Sequence, residues 1–360
     1  MKICFVVQTF DKRDRGGVLR VVSQLANLLI HSYEVEIIGF GEISENAYLL
    51  DPSIKLTALN LKKYNTSFYE NYKKIAWFKE AYLKIQPHLN DEVIWITSSP
   101  PISLLFSYLK FKNKKMKVIG CDHTSTLYKK NLLIQKVRNF MLANLDVVVA
   151  LTPQDNEYYK KNGVNSVCIP NFIDISKIKK IYNKRKYLIY VGRFNDEKQP
   201  FKAVDLFVNS YFFGSNISLK MYGHGDYEEE LQLYIQNKGY TDKVEIIKGQ
   251  TDPDVIYKDA FALILTSKIE GFGLVLLEAM ARNIPCLSFK TPYGPINLIK
   301  EGKNGFFIDE DVNTFNSTCK LIRDIDFSSI SHTVDNYDVN EVSKLWFKLI
   351  DSLMVVTNEN

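Results

Sequence analysis

Glu270 and Glu278 stand eight residues apart, with Gly271, Phe272 and Gly273 between them. The surrounding run, 264–280, reads as a buried strand, a glycine-pivoted loop and the first turns of a helix. Three further loops are expected at the same sheet edge: Gly192-Arg193 with Lys198, Gly223-His224-Gly225, and Tyr293-Gly294-Pro295. Together they supply two cations, glycines that expose backbone N–H groups, and a helix N-terminus after Gly273. That set suits a phosphate or diphosphate. Glu278 falls within about two turns of the helix start. There it can accept the two hydroxyls of a ribose, or it is a solvated helix residue or a partner of Lys300. Glu270, just past the strand, can hold a second hydroxyl-rich group. A nucleotide and a sugar joined by a diphosphate use all four features.

The elements that must position these residues are legible as alternating apolar runs. Residues 2–7 form a run of strand length, followed by a polar loop that ends in Gly16-Gly17. Val18, Val21, Val22, Leu25, Leu28 and Leu29 then recur at helical spacing, and a second strand starts at Glu34. This is a βαβ unit with its loop at the strand's carboxyl end. The glycine pair alone reads equally well as a tight turn, since it lacks a dinucleotide fingerprint. Further strands are expected at 55–59, 93–97, 118–121, 146–151 and 167–169, and helices near 69–85, 102–109, 133–142 and from Pro153. His123 follows the strand at 118–121 within Asp122-His123-Thr124-Ser125, where α/β proteins place chemistry; a structural histidine is the alternative. Residues 173–186 are polar and lysine-rich and read as a linker. The pattern restarts at Tyr187, with a helix expected over 200–213 and further strands at 217–222, 244–247, 261–265 and 285–289. An amphipathic helix is expected from Val339 to Met354.

The chain has 360 residues, 46% of them apolar, enough for two cores. Cys4, Cys121, Cys168, Cys286 and Cys319 have no close pairs, so reduced cysteines in a cytoplasmic protein, with no disulfide framework and no metal site, are expected. No leader peptide is expected at 2–7, and no transmembrane helix. Residues 1–182 carry 26 Lys/Arg against 16 Asp/Glu, whereas the remainder carries 20 against 25. The basic half can steer anionic substrates or rest on anionic lipid, or simply present a solvated lysine face. The same alternatives attach to the five lysines of 110–117, with an exposed helix–strand connection as the plain reading. No stacking or helix-turn-helix pattern points to nucleic acid.

In this order and spacing the motifs resemble the retaining glycosyltransferases of family 4. Glu270-Gly271-Phe272-Gly273-(x)4-Glu278 matches that family's E-x7-E element, Gly192-Arg193 with Lys198 its G-R-x4-K element, and Gly16-Gly17 its N-terminal glycine loop. The resemblance implies a GT-B fold: two Rossmann-like doubly wound α/β domains facing across a cleft, with the C-terminal helix able to cross back. It implies an acceptor-side domain at 1–175, a linker at 176–186, a nucleotide-sugar domain at 187–325 and a helical segment at 326–360. By the same match Arg193 and Lys198 neutralise the donor diphosphate without a metal, and Glu270 holds sugar hydroxyls. Glu278 holds the ribose. Gly271, Phe272, Gly273, Leu274 and Gly294 bring backbone to the donor, Gly16 and Gly17 close over the phosphates, and His123 faces the transferred sugar.

The implied activity moves a hexose or N-acetylhexosamine from a nucleoside diphosphate sugar, UDP-sugar foremost, to a glycan or polyprenyl-linked glycan in cell-surface polysaccharide assembly, capsule or lipopolysaccharide. No cofactor is implied beyond the donor. The expected location is cytoplasmic, with peripheral contact to the inner face of the membrane, to which the aromatic, lysine-rich segment 64–84 also points. A nucleotide-sugar epimerase of similar build and a non-catalytic sugar-nucleotide scaffold are the alternatives; the scaffold predicts loss of the cations or glutamates, and all four are present. Gln199 and Asn297 depart from the family pattern, at positions where glycine and an acidic residue are common.

Overall fold

The computed structural model of the chain describes residues 1–61, 71–121, 123, 125–127, 131–181 and 185–355, with side chains described for all of these except 71–74 and 355. The start of the aromatic segment (64–70), Asp122, Thr124 and Tyr128 of the histidine loop, and 182–184 of the expected linker lie outside the described residues. The chain divides into two compact units, one of Met1–Asn171 with Ser343–Asn360, the other of Phe172–Val342.

The first unit alternates β1 (Lys2–Val7), α1 (Gly17–Leu29), β2 (Glu34–Gly39), β3 (Lys55–Ala58), α2 (Asn71–Ile85), β4 (Val93–Thr97), α3 (Pro100–Lys112), β5 (Lys117–Cys121), α4 (Leu132–Leu142), β6 (Val147–Ala150), α5 (Pro153–Lys161) and β7 (Ser166–Cys168). Every strand pairing is parallel, in the order β3-β2-β1-β4-β5-β6-β7. Helices must cover both faces of such a sheet, which is why its strands are apolar at successive positions rather than alternating. Trp95 and Phe106 fill the core side by side, 5.2 Å between ring centroids, and Phe40 meets Trp77 edge-on at 5.4 Å.

The second unit runs β8 (Tyr187–Val191), α6 (Pro200–Val208), β9 (Ser218–Tyr222), α7 (Glu228–Asn237), β10 (Val244–Ile247), α8 (Pro253–Ile256), β11 (Ala260–Leu265), α9 (Leu274–Ala281), β12 (Cys286–Phe289), α10 (Gly294–Leu298), β13 (Gly305–Ile308) and α11 (Val312–Leu321). Its sheet is also wholly parallel, in the order β10-β9-β8-β11-β12-β13. A 3₁₀ stretch, Phe327–Tyr337, leads to α12 (Val339–Val355). The chain division falls within α12, so the helix belongs to the first unit from Ser343 onward. There Tyr33 packs against Phe347 and donates to Asp351 at 3.3 Å.

Three expectations are corrected. The helix from Pro200 ends at Val208, not near 213, because Ser210 turns the chain: its hydroxyl donates to the Phe207 carbonyl and accepts from the Phe212 N–H. Lys110 does not lie on an exposed connection. It ends α3 buried, its ammonium 2.7 Å from Asp146, while Lys112, Lys114 and Lys115 are exposed. The expected linker is not free at its start: Phe172 and Ile173 are buried, and Asp338 accepts from the Ile175 N–H at 3.0 Å. All five cysteines are unpaired, four buried and Cys168 half-buried.

Candidate active site

In a parallel sheet all strands end on one edge, and a crevice opens where neighbouring strands send their connections opposite ways. In the second unit that point lies between β8 and β11. The loop after β8 carries Gly192, Arg193 and Lys198; the loop after β11 carries Glu270 to Gly273. The sheet order therefore gathers residues more than 70 positions apart in sequence.

The two loops are built as one piece. Buried Tyr190 donates its hydroxyl to the Arg193 carbonyl at 3.1 Å and the Lys198 carbonyl at 3.2 Å. Burial, and then the Glu270 charge, raise its pKa and keep this phenol a donor. Thr266 donates to the Gln199 carbonyl at 2.9 Å, the Lys268 N–H to the Glu197 carbonyl at 2.8 Å, and the Lys268 ammonium to Asp196. On this frame the Lys198 ammonium is hydrogen-bonded to the Glu270 carboxylate, which also accepts from Ser267 at 3.2 Å. Both members are largely buried, so this is a desolvated pair in which loss of one charge leaves the other uncompensated. Tyr190, Thr266 and Ser267 were not among the expected site residues. A tyrosine inside a strand and two small hydroxyls give no signal until the strands are ordered.

Arg193 is placed differently. Its backbone is held by Tyr190, but its guanidinium is exposed and lies 3.8 Å from Glu197. Gln199 adopts a left-handed conformation, φ 47°, immediately before Pro200 opens α6. That conformation explains why glycine suits the position and shows that glutamine follows the same path at a cost of about 1 kcal/mol. Gln199→Gly is expected to raise unfolding stability by about 0.5–1 kcal/mol after the entropy of glycine is counted, read as a higher urea midpoint; a lowered midpoint would contradict this.

Gly273 caps α9 at φ 90°, a conformation glycine accepts without strain. Phe272 is buried edge-on against Tyr337, 5.7 Å between centroids. Leu274 opens the helix, half-buried. Glu270 forms a parallel bridge with Tyr293, so the loop after β12 joins the same edge. A Cβ on Gly294 would lie 2.8 Å from the Phe272 carbonyl oxygen, so the two loops touch through backbone. Asn297 turns its amide onto the Tyr293 carbonyl, a local role that the acidic residue common there could not fill as a donor.

Glu278 is neither solvated nor paired with Lys300, which donates to the Thr333 carbonyl instead. It is buried on the second turn of α9 and accepts from the Tyr257 hydroxyl at 2.9 Å. Arg282, one turn on, donates to the Glu278 carbonyl, pairs with Asp254 at 3.0 Å and lies over the Tyr257 ring.

Gly16, Gly17 and His123 belong to the first unit, at the carboxyl edge of its sheet, after β1 and β5 respectively. Gly16 caps α1 and Gly17 is its first residue; a Cβ on Gly17 would meet nothing within 4 Å. The preceding loop is pinned by buried Asp11, which takes both the backbone N–H and guanidinium of Arg13 and the N–H and hydroxyl of Ser44. These bonds, the Arg13 guanidinium foremost, hold its carboxyl far below the usual range. His123 is half-buried, and desolvation lowers its pKa to about 4, so the ring is neutral at physiological pH. Among the described residues no group of three or more His, Cys, Asp or Glu could hold a metal ion, and no helix is long and apolar enough to cross a membrane.

Two parallel Rossmann-like domains with a cation–carboxylate pair at a switch point define the GT-B class, and residues 171–322 match the family model Glycosyl transferases group 1. The chain is related along its length to glycosyltransferases of that fold. It is 22% identical to GalNAc-alpha-(1->4)-GalNAc-alpha-(1->3)-diNAcBac-PP-undecaprenol alpha-1,4-N-acetyl-D-galactosaminyltransferase of Campylobacter jejuni, covering 97% of this chain and 98% of that one. It is 27% identical to lipopolysaccharide 1,6-galactosyltransferase of Salmonella typhimurium, over 85% and 84%. A crystal structure of TarM of S. aureus in complex with UDP superposes with a TM-score of 0.79 at 15% identity, over 97% of this chain and 99% of that one.

Proposed function

We propose that the protein is a retaining, metal-independent glycosyltransferase of family 4. It transfers a hexose or N-acetylhexosamine from a UDP-sugar to a glycan, polyprenyl-linked or lipopolysaccharide-type, on the cytoplasmic side of a membrane. The observation that carries this reading is the Lys198–Glu270 pair at the β8/β11 switch point, with Tyr293 bridged to it. A donor phosphate competes for Lys198 and so releases Glu270 to hold sugar hydroxyls. Arg193, exposed on a fixed backbone, swings onto the same phosphates. Their combined charge stabilises the departing nucleoside diphosphate, the role a metal plays elsewhere. The leaving phosphate takes the acceptor proton on the face where the new bond forms, which retains configuration. Glu278, oriented by Tyr257, receives the ribose, and neutral His123 faces the sugar as a hydrogen-bonding group. The galactosaminyltransferase and galactosyltransferase relatives support a glycan acceptor, and the UDP-bound structural relative supports the base.

The test is nucleoside diphosphate release from UDP-, GDP- and ADP-sugars, with EDTA and with a polyprenyl-linked glycan present. Release from a UDP-sugar, undiminished by EDTA, is expected. Release only after divalent metal is restored contradicts the metal-independent step, and release from no donor contradicts the activity.

A further inference from the structure

The helix α4 is turned inside out. On its inner side Arg138 and Asn139 are buried, and they pair with the hydroxyls of Tyr159 and Tyr158 at 3.2 and 3.1 Å. On its outer side Leu132, Leu133, Ile134, Val137 and Phe140 are 56–77% exposed. Leu133, Val137 and Phe140 follow the i, i+4, i+7 spacing of one helix face, with Ile134 beside it. Five large apolar side chains on one helix are a patch that a soluble surface rarely leaves uncovered.

The charge around this face selects what covers it. Residues 93–145 hold nine Lys/Arg and a single acid, Asp122. The helix α3 lies alongside α4: Ser107 donates to the Met141 carbonyl, and Asn144 to the Ser107 carbonyl. It brings exposed Phe111, Lys112 and Lys114 to the Phe140 end, where Lys114 donates to Asn144 at 3.0 Å. Lys115 is exposed beside them and Lys136 on α4 itself. An apolar helix face flanked by lysines, without acidic residues on either helix, complements a bilayer with anionic headgroups.

We propose that the outer face of α4, with the lysines at the end of α3, docks the first unit on an anionic lipid surface. The apolar side chains enter the headgroup boundary and the lysines meet lipid phosphates. The loop that carries His123 leads directly into α4, so docking holds that sheet edge beside the membrane. In that last respect the proposal rests on the acceptor-side reading of the first unit; the docking itself does not.

The experiment is co-sedimentation of the full chain with phosphatidylcholine vesicles, with and without phosphatidylglycerol, alongside analytical ultracentrifugation. Wild type is expected to bind the phosphatidylglycerol vesicles and to be released by salt. The variant Leu133→Ser/Val137→Ser/Phe140→Ser is expected to lose at least about tenfold in vesicle affinity with unchanged thermal unfolding, because the replaced groups are already exposed. Lys114→Gln/Lys115→Gln should weaken binding to the anionic vesicles only. Equal binding by wild type and the triple variant, or none by wild type, overturns the proposal. So does a wild-type dimer that the triple variant converts to monomer, since a second copy then covers the face. Release of nucleoside diphosphate in free solution is read in parallel. Its loss in wild type counts against the glycosyltransferase reading and leaves the docking result standing.

Discussion

Glu270→Ala and Lys198→Ala are each expected to lower turnover by about 10²–10³, the usual cost of one preorganised charge at a reacting centre. The two variants fail for different reasons. Without Lys198 the leaving diphosphate loses a cation held on a rigid loop by Tyr190 and Thr266. Without Glu270 the sugar loses its hydroxyl acceptor, and Lys198 loses the carboxylate that orients it. Because the pair is one unit, the double variant should cost little more than the worse single one, a non-additivity that a double-mutant cycle measures. Circular dichroism and thermal unfolding check that the fold survives. Near-wild-type rates in both single variants would remove this site from the chemistry.

Gly223→Ala is expected to destabilise the second unit by about 3 kcal/mol or more, at the upper end for overpacking. Its Cβ would lie 1.9 Å from the Gly192 carbonyl oxygen. Neither partner can move away, since the Gly192 N–H bonds the Tyr222 carbonyl at 3.0 Å and the Phe194 N–H bonds the His224 carbonyl at 2.8 Å. Gly17→Ala makes the contrast. Its Cβ meets open space at the start of a helix, so stability should be unchanged or slightly higher. If backbone at Gly17 approaches the donor, turnover nevertheless falls. Full turnover in a stable Gly17→Ala would return the glycine pair to a plain helix start.

The sheets were legible in the sequence because strands covered on both faces are short, unbroken apolar runs, as at 2–7, 93–97 and 261–265. The E-x7-E and G-R-x4-K spacings mark the loops at one edge, and strand order then brings Lys198 to Glu270. What stayed hidden depends on partners far along the chain. Lys110 looked like one lysine among five because Asp146, its partner, arrives 36 residues later. Glu278 kept three readings until Tyr257 packed against it. The periodicity of α4 shows an apolar face and a polar face but not which turns inward; Tyr158 and Tyr159 on α5 decide that. The helix α11 and the 3₁₀ stretch Phe327–Tyr337 have no counterpart in the sequence patterns, since neither carries a long apolar period.

The central claim is that the loops after β8 and β11 bind a nucleoside diphosphate through Lys198 and Arg193. Titration calorimetry of UDP into the purified protein in EDTA tests it most directly, with GDP and ADP as competitors and Lys198→Ala as control. The account predicts saturable UDP binding without metal, weakened about tenfold or more in Lys198→Ala, the cost of a charge-assisted hydrogen bond. No binding of any of the three nucleotides, or UDP binding equal in wild type and Lys198→Ala, would contradict it.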